Sequence, residues 1–372
     1  MAPIGQIFGS GDVNSILFNV ILYIGMFAFI LMFNQRMQTL TYQRNAEKAV
    51  ARLEEISNKS REGVLNSMKP FAEGAVDTRA AVNNFLEFFT IEPVSVDPFG
   101  VLTRLEHLLD NRRDRSKLFV TQIAPKAGKT EAANIEDILE AAAAVNFIFK
   151  VVRHYLLLAK KTKSLMIFVQ LDMQLPLIMK QAEAYYSAQK TFAAGKPIGD
   201  GLGPLVASKL MMGQPKIAIA DEVVYSEVDI LKRKVYVLKA EGPGGVVGKP
   251  GEAVKQLVEN LGGKVNRIFM VDAGLKLEGE NTGEVAEGVG AAIGDPGPEK
   301  FKIEDVATKY KIPIDAVICK MGLEEALTTI RKEIVESSDV IVEKIKKAIA
   351  ERTKEGDIII VAGIGNTMGV GQ

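Results

Sequence analysis

Four charged side chains crowd the end of one buried strand. Asp272, Lys276, Glu278 and Glu280 lie in NRIFMVDAGLKLEGENTGEVAEGVGAAIGDPGP, residues Asn266–Pro298. The strand Ile268–Val271 opens there into a glycine-rich loop that also carries Glu284, Glu287 and Asp295. A carboxylate at a strand's C-terminal end is well placed for a metal ligand or a general base. Asp272 is therefore the candidate metal ligand, with Mg²⁺ as the candidate cofactor. Glu278 and Glu280, two residues apart, share one face of an extended chain with Lys276. The four together would suit metal-assisted hydrolysis or phosphoryl transfer. The opposing reading is a solvated loop surface, above all for Glu284 and Glu287.

Glycine supplies a second signal. Four glycine-rich segments fall in the last 180 or so residues: Gly199–Gly203, Gly242–Gly251, Gly274–Gly297 and Gly363–Gly371. Glycine lets backbone N–H groups approach and wrap an anion. Candidate ligand contacts are Gly199, Asp200, Gly201 and Gly203 in GDGLG, and Gly242, Gly244, Gly245 and Lys249 in GPGGVVGKPG. Gly363, Gly365, Asn366 and Thr367 in GIGNT complete the set. GPGGVVGKPG follows a strand and opens a helix, as a phosphate cradle would, with Lys249 as counter-charge. Its spacing is neither GxGxxG nor a P-loop. The GKT of APKAGKT also fails that test, because Ile123 stands where the first P-loop glycine belongs, so this stretch reads as a linker. If the loops converge, they predict a small anionic ligand, nucleotide- or phosphate-like. Ordinary turn chemistry is the alternative.

The elements that would position these residues begin at AAGKPIGDGLGP. From residue 193 to 372 short Val/Ile-rich strands alternate with helices. Strands are expected at Lys216–Ala220, on either side of Ser226–Lys234, and at Arg267–Val271, Ala316–Lys320 and Asp357–Val361. The helices between them are Leu205–Met212, Glu252–Leu261, Ile303–Tyr310 and one running from Leu323 to about Thr353. That order implies a mostly parallel sheet with right-handed crossovers.

Residues 35–192 read as a helical region. Ala46, Ala49, Val50, Leu53, Ile56, Val64, Leu65 and Met68 recur at helical steps, interrupted by Gly63 and Pro70. A further helix, Thr78–Phe89, is closed by Pro93 and Pro98. Arg112, Arg113, Arg115 and Lys117 form a basic run that reads as a solvated face, or as a contact for lipid headgroups. The apolar helix from Ser164 contains Pro176 and Asp172 and reads as a kinked core helix.

Ser15–Phe33 has no charged residue over about nineteen positions, close to the ~20 needed to cross a bilayer. No Lys or Arg precedes it, which argues against a cleaved signal. Residues 15–34 are thus an expected transmembrane helix, and 1–14 a short extracytoplasmic segment. Arg36, Arg44, Lys48 and Arg52 follow the span, so the positive-inside bias places the remainder in the cytoplasm. A homo-oligomer is expected; Asn19 and Gly25 either offer helix–helix contacts for it or, the commoner case, are incidental residues of a membrane helix.

Composition narrows the alternatives. Lys+Arg and Asp+Glu are equal at 46, so no basic excess points to nucleic acid. One cysteine, Cys319, and two histidines, His107 and His154, exclude a disulfide framework and most Cys- or His-based metal sites. The fold class expected is a membrane-anchored α + α/β chain.

GDGLGPLVASKLM, LKAEGPGGVVGKPGEAV, VDAGLKLEGENTGEVAEGVGAAIG and VAGIGNTMGV, taken together, resemble an archaeal family catalogued as domain of unknown function fifteen-twelve. The resemblance spans nearly the whole chain and implies an archaeal membrane protein. It brings no activity and no catalytic residue. Three functions stay open: a membrane-held binder of a small anion, a hydrolase or phosphoryl-transfer enzyme at Asp272–Glu280, and a membrane scaffold.

Overall fold

The computed structural model describes residues 13–73, 77–90, 100–294 and 297–371. Asp295, Pro93, Pro98 and most of the 1–14 segment lie outside the described residues. The chain forms two compact units, one of residues 1–54 with 148–179 and one of 55–147 with 180–372.

The first unit contains most of α1 (Val13–Met68), with parts of α4 (Lys129–Thr162) and α5 (Leu165–Ala193). Every large apolar side chain from Leu17 to Phe33 is exposed. A bare apolar helix of this length is what a bilayer would cover. Beyond it the pattern reverses: Ala46, Leu53, Val152, Leu156, Ala159 and Phe168 are buried. Lys160 meets Glu47 at 2.6 Å, and Asn45 donates to Asp172 at 3.0 Å. α5 runs through Pro176 without ending.

The second unit is built on a seven-stranded sheet of order β1-β2-β3-β7-β4-β6-β5. The strands are β1 (Ile217–Ala220), β2 (Val223–Ile230), β3 (Arg233–Ala240), β4 (Arg267–Leu275), β5 (Val285–Val289), β6 (Ile314–Met321) and β7 (Ile358–Gly363). β3, β7, β4 and β6 are parallel, while β2 and β5 run against them. Side chains alternate along each central strand, so β7 gives Ile359 and Val361 to one face and Ile360 and Ala362 to the other. The first face is covered by α6 (Leu202–Leu210) and α10 (Lys332–Arg352), which buries Ile334, Ile341, Ile345 and Ile349 at helical spacing. The second is covered by α7 (Pro250–Asn260) and α8 (Pro298–Tyr310), through Val254, Leu257, Ile303 and Val306. A third core joins α2 (Thr78–Leu86), α3 (Val101–Ile123) and the first half of α4 to Ile198 and Met368.

Three expectations change. The single long helix from Leu323 is two, α9 (Leu323–Leu327) and α10, because the segment between them is drawn out to pair with Pro197 and Ile198. Ile330 N–H donates to the Pro197 carbonyl at 2.8 Å. The acidic loop contains a strand, β5, with Glu287 in it. Its Glu and Gly content suits an edge that must not pair with a neighbour. Finally, α1 continues through Gly63 to Met68.

Candidate functional site

The C-terminal ends of β4 and β7 carry the site. Ile364 N–H donates to the Val271 carbonyl at 2.8 Å, holding the tail of β7 against β4. α6 begins above this point. A Cβ on Gly203 would collide with the carbonyl oxygens of Ile364 and Val271, so only glycine lets the helix descend this far. Gly365 has φ +132° and lies against the Asp200 carbonyl, a conformation and a proximity that both require glycine. The Thr367 hydroxyl donates to the Gly244 carbonyl at 2.9 Å, and its N–H to that of Val246 at 2.9 Å. Three of the four glycine-rich segments therefore meet at this edge: Gly199–Gly203, Gly242–Gly251 and Gly363–Gly371.

Asn366 is the centre of the junction. Its backbone N–H donates to Asp200 Oδ2 and its side-chain Nδ2 to Asp137 Oδ2, both at 2.8 Å. Its Oδ1 accepts from Met368 N at 2.9 Å, which fixes the amide's orientation. α4 contributes Asp137, and also Asn134, whose Oδ1 accepts from Gly245 N at 3.0 Å. Two adjoining cavities open here. One of about 320 Å³ is lined by Asp137, Asp200, Asn366, Tyr185 and Arg112. The other, about 360 Å³, shares Asp137 and Arg112 and adds Glu136, Lys117 and the Gly245–Gly248 backbone.

The electrostatics are those of carboxyls deprived of water. Burial pushes Asp137 up to about 8, opposed by the Asn366 bond and reinforced by Glu136. Burial likewise raises Asp200, and raises Glu136 to about 7. Asp272 is 6% exposed, and burial with the nearby Asp200 takes it to about 8. Its Oδ1 accepts from Ala273 N at 2.7 Å. A cluster of carboxyls titrating near neutrality inside a cleft marks a functional candidate.

The cations around it are already matched. Arg112 pairs with Glu140, Arg113 with Asp221 at 2.5 Å, and Lys117 with Glu222 at 2.5 Å. Arg115 lies 4.1 Å from the centre of the Phe88 ring. Lys249 is bound to Asp110 at 2.8 Å, so it is not a spare counter-charge for phosphate.

The acidic loop does not assemble as expected. Asp272 points into the interior, while Lys276 Nζ turns to Thr282 Oγ1 at 2.7 Å and to Glu325 at 3.4 Å. Glu280 is held by Lys320 at 2.5 Å, which lowers its pKa, and Glu278 is exposed. Glu284 also reaches Lys320, and Glu287 binds Lys344 and Arg352. The four charges named first thus face four different surroundings, and no reacting atom could meet them all. Among the described residues no three His, Cys, Asp or Glu side chains are grouped to hold a metal. Asp272 is enclosed, whereas Mg²⁺ keeps several of its waters when bound.

Asp137 and Glu136 were not among the residues singled out from sequence. Their signal was faint: Asn134, Asp137, Ala141 and Ala144 form one helical stripe, polar at one end and small at the other. Such a stripe permits close approach of another backbone.

A family model described as "Protein of unknown function (DUF1512) N-terminal domain" matches residues 20–195. A second, "Domain of unknown function (DUF1512) C-terminal", matches residues 198–371. No curated protein matches the chain.

Proposed function

We propose, for a chain that belongs to the DUF1512 family over both of its domains, that it is a membrane-held binder of a small polar molecule. The N-terminal apolar helix crosses the bilayer once, and the cations that follow it keep the remainder on the cytoplasmic side. The ligand sits in the cleft at the C-terminal edge of β4 and β7. The observation that carries this reading is Asn366, hydrogen-bonded to both Asp137 and Asp200 at the wall of a cavity.

The charge of the cleft favours a different ligand class from the anion that glycine loops suggest. Its cations are occupied by carboxylates, and its remaining polar groups are an amide and carboxyls that burial pushes toward the protonated form. An ammonium or guanidinium group would let Asp137 and Asp200 ionise and would supply the donors they lack. The ligand is accordingly a small amine.

Thermal-shift measurements on the full chain in mild detergent test this, with diamines, arginine, inorganic phosphate and nucleotides as probes. Amines raise the melting temperature and Asp137→Asn removes the rise. Stabilisation by phosphate compounds alone, undiminished in Asp137→Asn, overturns the proposal for this cleft.

A second reading is favoured by the same carboxyls, since groups at about 7 and 8 are poised for general acid–base work. Conversion of the bound ligand, lost in Asp137→Asn while binding persists, would select it. A ligand recovered unchanged would reject it.

A further inference from the structure

The first unit carries a basic turn alongside the apolar helix. α4 and α5 meet at Lys163 and Ser164, within KKTKSLM, residues 160–166. α4 runs antiparallel to α1, because Ser57 Oγ donates to Asn146 Oδ1 at 3.3 Å and, further along both helices, Lys160 meets Glu47 at 2.6 Å. The turn therefore points toward the apolar end of α1. At 1.5 Å per helical residue it lies level with Leu40, about 10 Å from Phe33, where the uncharged run ends.

Charge is one-sided at this level. Arg36, Arg44, Lys48, Lys160, Lys161 and Lys163 stand against a single acid, Glu47, in residues 34–50 and 157–168. Over the whole chain the two signs balance at 46 each, so the excess is local. Lys160 takes Glu47, while Lys161 and Lys163 are exposed and have no acidic partner among the described residues. Met166, in the first turn of α5, is 66% exposed beside them. Free lysines next to a bare apolar side chain are what an interfacial segment presents to a membrane.

We propose that the α4–α5 turn docks on the anionic headgroups of the bilayer that α1 crosses. A headgroup layer is about 5–8 Å deep on each side of the hydrocarbon. The four-carbon stems of Lys161 and Lys163 span the remaining gap and place their ammonium groups on lipid phosphates and carboxylates, with Met166 among the headgroups. The cytoplasmic leaflet carries such lipids, and each basic side chain near it adds about fivefold to the docking equilibrium. A chain segment more than a hundred residues after the span thus becomes a second membrane contact, chosen by lipid charge. This inference rests on the reading that α1 crosses the bilayer, and not on the amine-binding cleft.

The chain has no tryptophan, so one can be introduced as a reporter. Met166→Trp in the full chain is reconstituted into vesicles of phosphatidylcholine, alone or with an equal part of phosphatidylserine, each containing a lipid spin-labelled at its headgroup. Its fluorescence is quenched strongly in the anionic vesicles and weakly in the neutral ones. Lys161→Gln with Lys163→Gln, both exposed, weakens docking about fivefold per charge removed and returns the quenching to the neutral level. Raising the salt does the same. Equal quenching in the two vesicles, no quenching in the anionic ones, or quenching unchanged by the double substitution overturns the proposal. Phe29→Trp, with lipid brominated on its acyl chains, reports the crossing separately and is quenched in both vesicles. If it is quenched in neither, the crossing itself fails and the docking falls with it.

Discussion

The sheet-edge cleft and a cavity of about 690 Å³ between the C-terminal ends of α1 and α5 and the helix α2, here called the helical pocket, place polar groups in opposite ways in one folded unit. The cleft gathers carboxyls where glycine backbones crowd together, pairs its cations with acids and, by burial, pushes its remaining carboxyls toward the protonated form. The pocket gathers cations and amides between helices and leaves three of its polar atoms unmatched. In the first, backbone geometry makes the site and charge is suppressed. In the second, side chains line the cavity and charge is kept in exposed pairs, Lys59 with Glu55 and Arg79 with Glu62. Glycine loops alone are therefore a poor guide to an anion, because the charge that would hold it depends on what else packs against them.

The comparison can be broken most severely by adding one methyl group on each side. Gly203→Ala drives a Cβ into two backbone carbonyls that cannot turn aside. We expect a loss of about 3 kcal/mol or more, read as a clear fall in the denaturation midpoint. Gly63→Ala faces only a side-chain amide, and alanine favours the helix, so its stability stays within about 1 kcal/mol of the parent. Equal losses would mean that the cleft is no more dependent on its backbone than the pocket.

Titration sharpens the contrast next. Asp272 has a native pKa of about 8, against about 3.9 in an unfolded chain. Between those values the native state binds the extra proton, so stability is greatest near pH 4 and is lost as pH rises through 8. Asp272→Asn flattens the fall in melting temperature between about pH 4 and 8, the window set by those two pKa values. A slope identical to the parent's would show that this carboxyl is not held neutral.

The smallest effect belongs to Arg79, whose pair with Glu62 is exposed on both sides. Arg79→Ala leaves the melting temperature unchanged. A large drop in stability would show that this ion pair supports the helices.

The sequence made the sheet legible because β3, β4, β6 and β7 are short apolar runs bounded by glycine and charge. It also pointed to four glycine-rich segments, of which Gly199–Gly203, Gly242–Gly251 and Gly363–Gly371 converge. It misled at the acidic loop. EVAEGV carries two glutamates and a glycine, so β5 has no strand signature beyond its pairing to β6. Lys276 and Glu280 look adjacent in extended chain, but Glu325 and Lys320 claim them from outside the segment. Asp137 was hidden because it lies in an alanine-rich helix 63 residues before Asp200. Gln189, the buried amide beside Gly63, gave no signal at all, since nothing local distinguishes a buried amide from a solvated one. Both depend on tertiary neighbours that local pattern does not encode.

Proton release on ligand binding tests the central claim most directly. Calorimetric titration of the full chain with a diamine near pH 7, in two buffers of different ionisation enthalpy, measures it. Binding with net loss of protons to the buffer, abolished in the Asp137→Asn/Asp200→Asn variant, is the predicted result. Diamine binding without proton release, or no diamine binding, would contradict an amine site built from neutral carboxyls.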